Sequence, residues 1–235
     1  MNLRPLCPLN PLVYNAETVF TGCPGRRPGS QGGAMASGIR NKTLPLFDRL
    51  GAPLLLLMDG HAMVHRSFRA ISVQGHLSVS STGEVITGVF GFANVFLRAI
   101  QEWNPTYCAI AFDMPAPTFR HQRFEQYKAQ RAEPPPELLA QFPRVKQLMQ
   151  AFGVPIFELE GWEADDAIGS ICRQAEDQGV DTVILTGDRD TFQLISPRVR
   201  VDMFHSIQGR KVYDEAELEA RYFGLTAAQQ PDFKA

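Results

Sequence analysis

The sequence predicts an α/β fold built on a parallel, doubly wound sheet with helices on both faces, and three observations predict it. Short apolar runs at 54–58, 107–112, 155–159, 182–186 and 199–203 read as strands. Segments with the 3.6-residue period of amphipathic helices separate them, the alternation expected of crossover-connected parallel strands. Acidic residues recur at the carboxyl ends of the runs, where open sheets of this kind gather their ligands.

Taken in order, residues 1–52 look unlike the rest. Pro and Gly dominate, no period is sustained, and the expectation is a disordered leader; Met35 offers an alternative start. From Pro53 the alternation begins. A first strand at 54–58 leads to a short helix over 62–70 and a polar loop reaching Thr82 and Gly83. A long helix follows with Val89, Phe92, Phe96, Ala99 and Trp103 on one stripe. The strand at 107–112 gives way to a basic and aromatic stretch ending at Pro134-Pro135-Pro136. The period predicts one helix over 138–152, with Leu139, Phe142, Val145, Met149 and Phe152 inward and Gly153 ending it. After the strand at 155–159, a helix over 164–178 stops at Gly179, and strands follow at 182–186 and 199–203. Asp214 with Glu217 forms a capping-box pattern, and Gly224 suits the end of that last helix.

Composition bounds the function without choosing it. A chain of 235 residues with 44% hydrophobic content can bury one large core. The formal net charge of −2 gives no global signature of nucleic-acid binding, although an acidic cluster would offset a local basic patch in the total. The four cysteines have neither metal-ligand spacing nor the framework of a secreted domain, and Cys108 and Cys172 read as buried, reduced thiols. No apolar run approaches a membrane span and no signal peptide opens the chain, so a cytoplasmic protein is expected.

The acids carry the chemistry. Asp59 closes the first run, Asp113 follows the second, and Asp188 and Asp190 follow the fourth. Glu163, Asp165 and Asp166 open a helix in Gly161-Trp-Glu-Ala-Asp-Asp. Singly, each has an ordinary structural explanation: Asp59 as a helix N-cap, the acids at 163–166 as complements to a helix dipole. Capping does not explain why separate segments all place acids at strand ends. So many carboxylates in one crevice repel one another unless cations neutralise them, and hard oxygen ligands select Mg²⁺ or Mn²⁺. The pattern therefore points to metal-dependent phosphoryl transfer.

A second signal follows Asp113. Arg120, Arg123, Lys128 and Arg131 interleave with Phe119, Phe124 and Tyr127. Cations for phosphates and rings for bases suit single-stranded nucleic acid; an amphipathic helix with a solvated basic face explains the same residues. The position beside the acidic crevice favours the first reading, and it argues against a receiver-like or phosphatase-like domain acting on small phosphoryl groups.

Five phrases in order, Met58-Asp-Gly-His, Ala111-Phe-Asp-Met-Pro-Ala-Pro-Thr-Phe-Arg-His, Tyr127-Lys-Ala-Gln-Arg, Gly161-Trp-Glu-Ala-Asp-Asp and Leu185-Thr-Gly-Asp-Arg-Asp, resemble the 5′–3′ exonuclease domain of bacterial DNA polymerase I. That domain belongs to the flap-endonuclease-like nucleases related to PIN domains. The resemblance covers residues 54–235 and implies a helical arch inserted in the sheet fold. It implies a first metal held by Asp59, Asp113, Glu163 and Asp165, and a second by Asp188 and Asp190 with Asp166 beside them. Catalysis would rest on Asp59, Asp113, Arg120 and Lys128, and DNA contacts on Arg120, Arg123, Tyr127, Lys128 and Arg131. Gly83 would lie in a loop bordering the duplex. The implied substrate is DNA with a 5′ single-stranded end or flap, met in replication and repair, with a polymerase domain as companion in longer proteins. In the family a segment like Asp232-Phe-Lys-Ala continues into Gly-Asp-x-Ser-Asp-Asn and a helix–hairpin–helix. The sequence given stops at Ala235, so the expectation is a 5′-nuclease domain over 53–235 whose second metal site is incomplete. The alternative expectation is a catalytically incomplete fragment that only binds nucleic acid or metal.

Overall fold

A run of four leucines and a methionine forms the central strand, and the order of its neighbours decides where the site lies. The computed structural model describes residues 51–234 apart from Gln74, Glu125, Arg131 and 206–208. All but the last two residues of the expected leader, and the expected DNA contact Arg131, lie outside the described residues. β1 (Leu54–Asp59) pairs in parallel with β2 (Tyr107–Ala111) on one side and β4 (Asp181–Thr186) on the other. With β3 (Ile156–Phe157), β5 (Val199–His205) and β6 (Gly209–Tyr213), the six strands run in the order β3-β2-β1-β4-β5-β6. Five are parallel, while β6 turns back antiparallel on β5 and makes the sheet mixed. The sequence reading missed β6, because Gly209-Arg-Lys-Val-Tyr offers no apolar run on an edge strand.

Alternation along β1 builds two cores. Leu55 and Leu57 face one, with the helix α6 (Ala164–Asp177) over it. Leu56 and Met58 face the other, covered by α1 (Gly60–Ser72), α2 (Thr87–Trp103) and α5 (Gln141–Ala151). Both faces being covered is why the strand reads as an unbroken apolar run rather than an alternating one. The predicted stripe on α2 holds: Phe92, Phe96, Ala99 and Trp103 are buried, and Asn104 ends the helix at φ +44°.

The helix expected over 138–152 is two helices. α4 (Pro136–Leu139) stops at Ala140 and α5 begins at Gln141. Pro143 has no N–H for the Leu139 carbonyl, and its ring would strike it in a continuous helix. The buried Gln141 side chain fills the break, its amide donating to the carbonyls of Glu137 (2.9 Å) and Val85 (2.6 Å). The shift of register also exchanges two leucines, so that Leu138 is 2% exposed and the supposedly inward Leu139 is 51% exposed. Farther on, Asp214 accepts the Glu217 N–H at 2.9 Å and caps α7 (Glu215–Arg221) as expected, and Gly224 follows at φ +90°. Cys108 and Cys172 are free and buried, and burial pushes the Cys108 thiol up to about 12. No described helix is long and apolar enough to cross a membrane.

Candidate functional site

The chain lays down β1, β2 and β3 in one direction and then returns to place β4 against the other side of β1. The crossovers diverge at this pair, which opens a crevice beyond the carboxyl ends of β1 and β4. Asp59, the last residue of β1, is 4% exposed there. Its Oδ1 accepts the Ala62 N–H at 3.0 Å, capping α1, and its Oδ2 accepts the Thr186 hydroxyl at 2.7 Å. Thr186, which ends β4, accepts the Asp188 N–H at 3.0 Å and so ties Asp59 to the loop carrying Asp188 and Asp190. Burial pushes the Asp59 carboxyl up to about 6, the two hydrogen bonds opposing and the charges of Asp188 and Asp113 adding to the rise.

Asp113 stands two residues beyond β2. Its N–H donates to His61 Nδ1 at 3.1 Å, and its Oδ1 accepts the Ala164 N–H at 2.7 Å, joining it to the start of α6. A ring nitrogen that accepts carries no proton, so His61 is the neutral Nε2–H tautomer, in keeping with burial holding its pKa below the ordinary value. Gly60 makes the approach possible. A Cβ there would lie 2.3 Å from the Phe112 ring, on the residue just before Asp113.

α6 presents the remaining acids. Asp165 is partly buried, and burial followed by the charges of Asp59, Asp188, Asp113 and Asp190 pushes it up to about 7. It therefore shares one crevice with acids from three other segments. Glu163 and Asp166 turn to the basic stretch instead. Glu163, 7% exposed, accepts Lys128 Nζ at 2.7 Å and the Tyr127 hydroxyl at 3.1 Å, with Arg120 at 3.4 Å. Both oxygens of Asp166 take the Arg120 guanidinium, at 2.7 and 2.8 Å, which holds Asp166 below the usual carboxylate range. Asp190 pairs with Lys234 from α8 (Gln230–Lys234). Among the described residues, no three acidic, His or Cys side chains close into an arrangement able to hold a metal as they stand.

The expected helical arch is mostly not helical in the described residues. α3 (Phe119–Arg123) has five residues, and turns follow over 126–130 with Lys128 at φ +57°. Arg and Lys favour helices, but the left-handed backbone at Lys128 interrupts one here, and Arg120 and Lys128 pair with Asp166 and Glu163 at the start of α6. Arg123 remains exposed, its guanidinium 5.7 Å from the Phe119 ring. The structure thus separates the predicted acids. The charges of Asp59, Asp113, Asp188 and Asp190 all bear on Asp165, while Asp166, Glu163 and Asp190 are each paired with a cation. Sequence reasoning missed His61 and Thr186, which position Asp113, Asp59 and Asp188. Their only signal was adjacency, in Met58-Asp-Gly-His and Thr186-Gly-Asp.

The family model of the 5′–3′ exonuclease N-terminal, resolvase-like domain matches residues 54–223. This chain belongs to that family. Among relatives of the 5′–3′ exonuclease domain, DNA polymerase I of Chloroflexus aurantiacus is 46% identical over 185 residues, covering 77% of this chain and 19% of that one. DNA polymerase I of Bacillus caldotenax is 38% identical over 181 residues, covering 77% and 20%. The chain thus spans about a fifth of the length of these polymerases. A bacteriophage T5 5′-exonuclease with bound zinc shares the fold at a TM-score of 0.54 and 17% identity, covering 75% of this chain and 63% of its own. A T5 flap endonuclease in complex with DNA and metal ions gives 0.56 and 17%, with the same coverage of 75% and 63%. Apart from the antiparallel edge strand β6, the sheet is the 5′-nuclease fold that the sequence predicted.

Proposed function

We propose that this exonuclease-family domain hydrolyses DNA phosphodiesters at or near a 5′ end, as a 5′–3′ exonuclease or 5′-flap endonuclease dependent on divalent cations. One observation carries the reading: at the switch point of the sheet, Thr186 joins Asp59 to Asp188, and the Ala164 N–H joins Asp113 to the start of the helix that carries Asp165. An all-carboxylate set suits Mg²⁺ or Mn²⁺, and it leaves Asp59 and Asp165 far above the usual carboxylate range without a cation. Asp59, Asp113, Glu163 and Asp165 would hold a first ion, Asp188 and Asp190 a second. Such ions, if bound there, would acidify a water and neutralise charge on the phosphate oxygens.

The chain's own groups supply position. Two hydrogen bonds fix the Asp59 carboxylate, and His61 with the Ala164 N–H fixes Asp113. We assign Asp166 to holding Arg120 in place until substrate binds, since both its oxygens bind that guanidinium. Arg120 and Lys128 would exchange their carboxylate partners for substrate phosphate, where fixed cations lower the cost of developing charge. Arg123, Tyr127 and Arg131 would follow the 5′ single strand. DNA is taken as the substrate because the relatives are DNA polymerases and a fold neighbour is seen with DNA, and the setting would be replication and repair.

Cleavage of an end-labelled duplex bearing a 5′ tail tests this. Mg²⁺ or Mn²⁺ should support cleavage and EDTA should stop it. Asp113→Ala should lower the rate by about 100-fold or more with DNA binding retained. Cleavage indifferent to chelation, or none with metal present, would overturn the reading.

A further inference from the structure

Of the two tryptophans in the chain, one has an evident structural duty and the other does not. Trp103 is 8% exposed and its indole N–H donates to the buried Asp202 at 2.7 Å. Trp162 is 50% exposed. Its ring is supported from one side by Phe119, with centroids 5.0 Å apart and planes at 55°, and the Phe119 N–H donates to the Gly161 carbonyl at 3.0 Å. Two guanidinium groups crowd the same pair, Arg120 at 4.6 Å and Arg123 at 5.7 Å from the Phe119 ring. Trp162 lines a groove of about 720 Å³ together with Arg120, Tyr127, Asp165 and Asp190.

We propose that Trp162 is a stacking platform for an unpaired base of the DNA strand whose phosphate is cleaved. This assignment rests on the 5′-nuclease reading and adds a base subsite to it. The groove has the volume of a nucleotide-sized site. Its lining offers a half-exposed indole together with the Arg120 guanidinium, which complements a base joined to a phosphate. Trp162 directly precedes Glu163, their Cα atoms about 3.8 Å apart by chain geometry, so a base on the indole belongs to a nucleotide next to the acids. Within a duplex both faces of a base are covered by its neighbours, so the platform takes single-stranded DNA and not paired DNA.

Intrinsic fluorescence reports on the indole, since Trp103 is shielded. The test titrates the chain, with Ca²⁺ in place of Mg²⁺, with a duplex bearing a 5′ tail. A matched probe has abasic sugars at the tail nucleotides next to the junction. With the normal tail, emission should be quenched. The abasic tail should leave emission unchanged and bind at least about fivefold more weakly, the lower end of what one stacked base contributes. Trp162→Ala should bind both probes alike, because the two losses remove the same contact and do not add. Trp162→Phe should restore most of the preference. A full abasic penalty persisting in Trp162→Ala, or unquenched emission at saturation, would overturn the platform while leaving the nuclease reading intact. No binding of tailed DNA by the unaltered chain would overturn both.

Discussion

At the scale of single residues, burial of carboxyls makes the metal-free site a source of instability. Asp59 and Asp165 rise from an ordinary 3.8 to about 6 and about 7 when the chain folds. A raised acid binds its proton more tightly in the native state. Its contribution is therefore complete below about pH 4 and is lost as pH rises through 6–7. In EDTA the domain should melt lower at pH 8 than at pH 5. Asp165→Asn, which removes one charge without changing shape, should raise the pH 8 midpoint by about 4–8 °C. That shift corresponds to on the order of 2 kcal/mol after discounting for partial exposure. Thermal melts at both pH values check this; a substitution that lowers the midpoint at pH 8 would contradict it. Asp59 and Asp113 were legible in the sequence because each closes an apolar run. His61 and Thr186 were not, since a neutral acceptor and a hydroxyl act through partners that are distant in sequence, such as Thr186 and Asp59, 127 residues apart.

At the scale of elements, the start of α6 and the basic stretch form one unit. Arg120 and Lys128 bind Asp166 and Glu163 in this structure, so the cations expected to meet phosphate are held at the entrance of the crevice by its own acids. Replacing both by alanine should weaken binding of 5′-tailed DNA. It should also flatten the dependence of log K on log salt by roughly 1–2, as two phosphate contacts are lost. A salt slope equal to that of the unaltered chain would assign these cations to α6 alone. The sequence showed the charge and aromatic content of this stretch but not its shape, because the pairing depends on which face of α6 it meets. The broken helix at Ala140 was legible after all: Pro143 stood inside the predicted period and outweighed it. The edge strand β6 was not, because Arg210 and Lys211 interrupt any apolar pattern.

Across the whole molecule, the parallel sheet follows from alternating periods, but the strand order does not, since no local pattern says on which side of β1 the chain will place β4. That choice creates the switch point and brings together acids that are 129 residues apart, as Asp59 and Asp188 are in the numbering. The proposed 5′-nuclease activity depends on these acids forming a divalent-cation site. Calorimetric titration of the domain with Mn²⁺ at pH 7.5, without DNA, tests it most directly. Saturable binding is expected, accompanied by a higher melting midpoint, and Asp165→Asn should weaken it by about 10-fold or more. Mn²⁺ that releases no heat and leaves the midpoint of the unaltered domain unchanged would contradict the account.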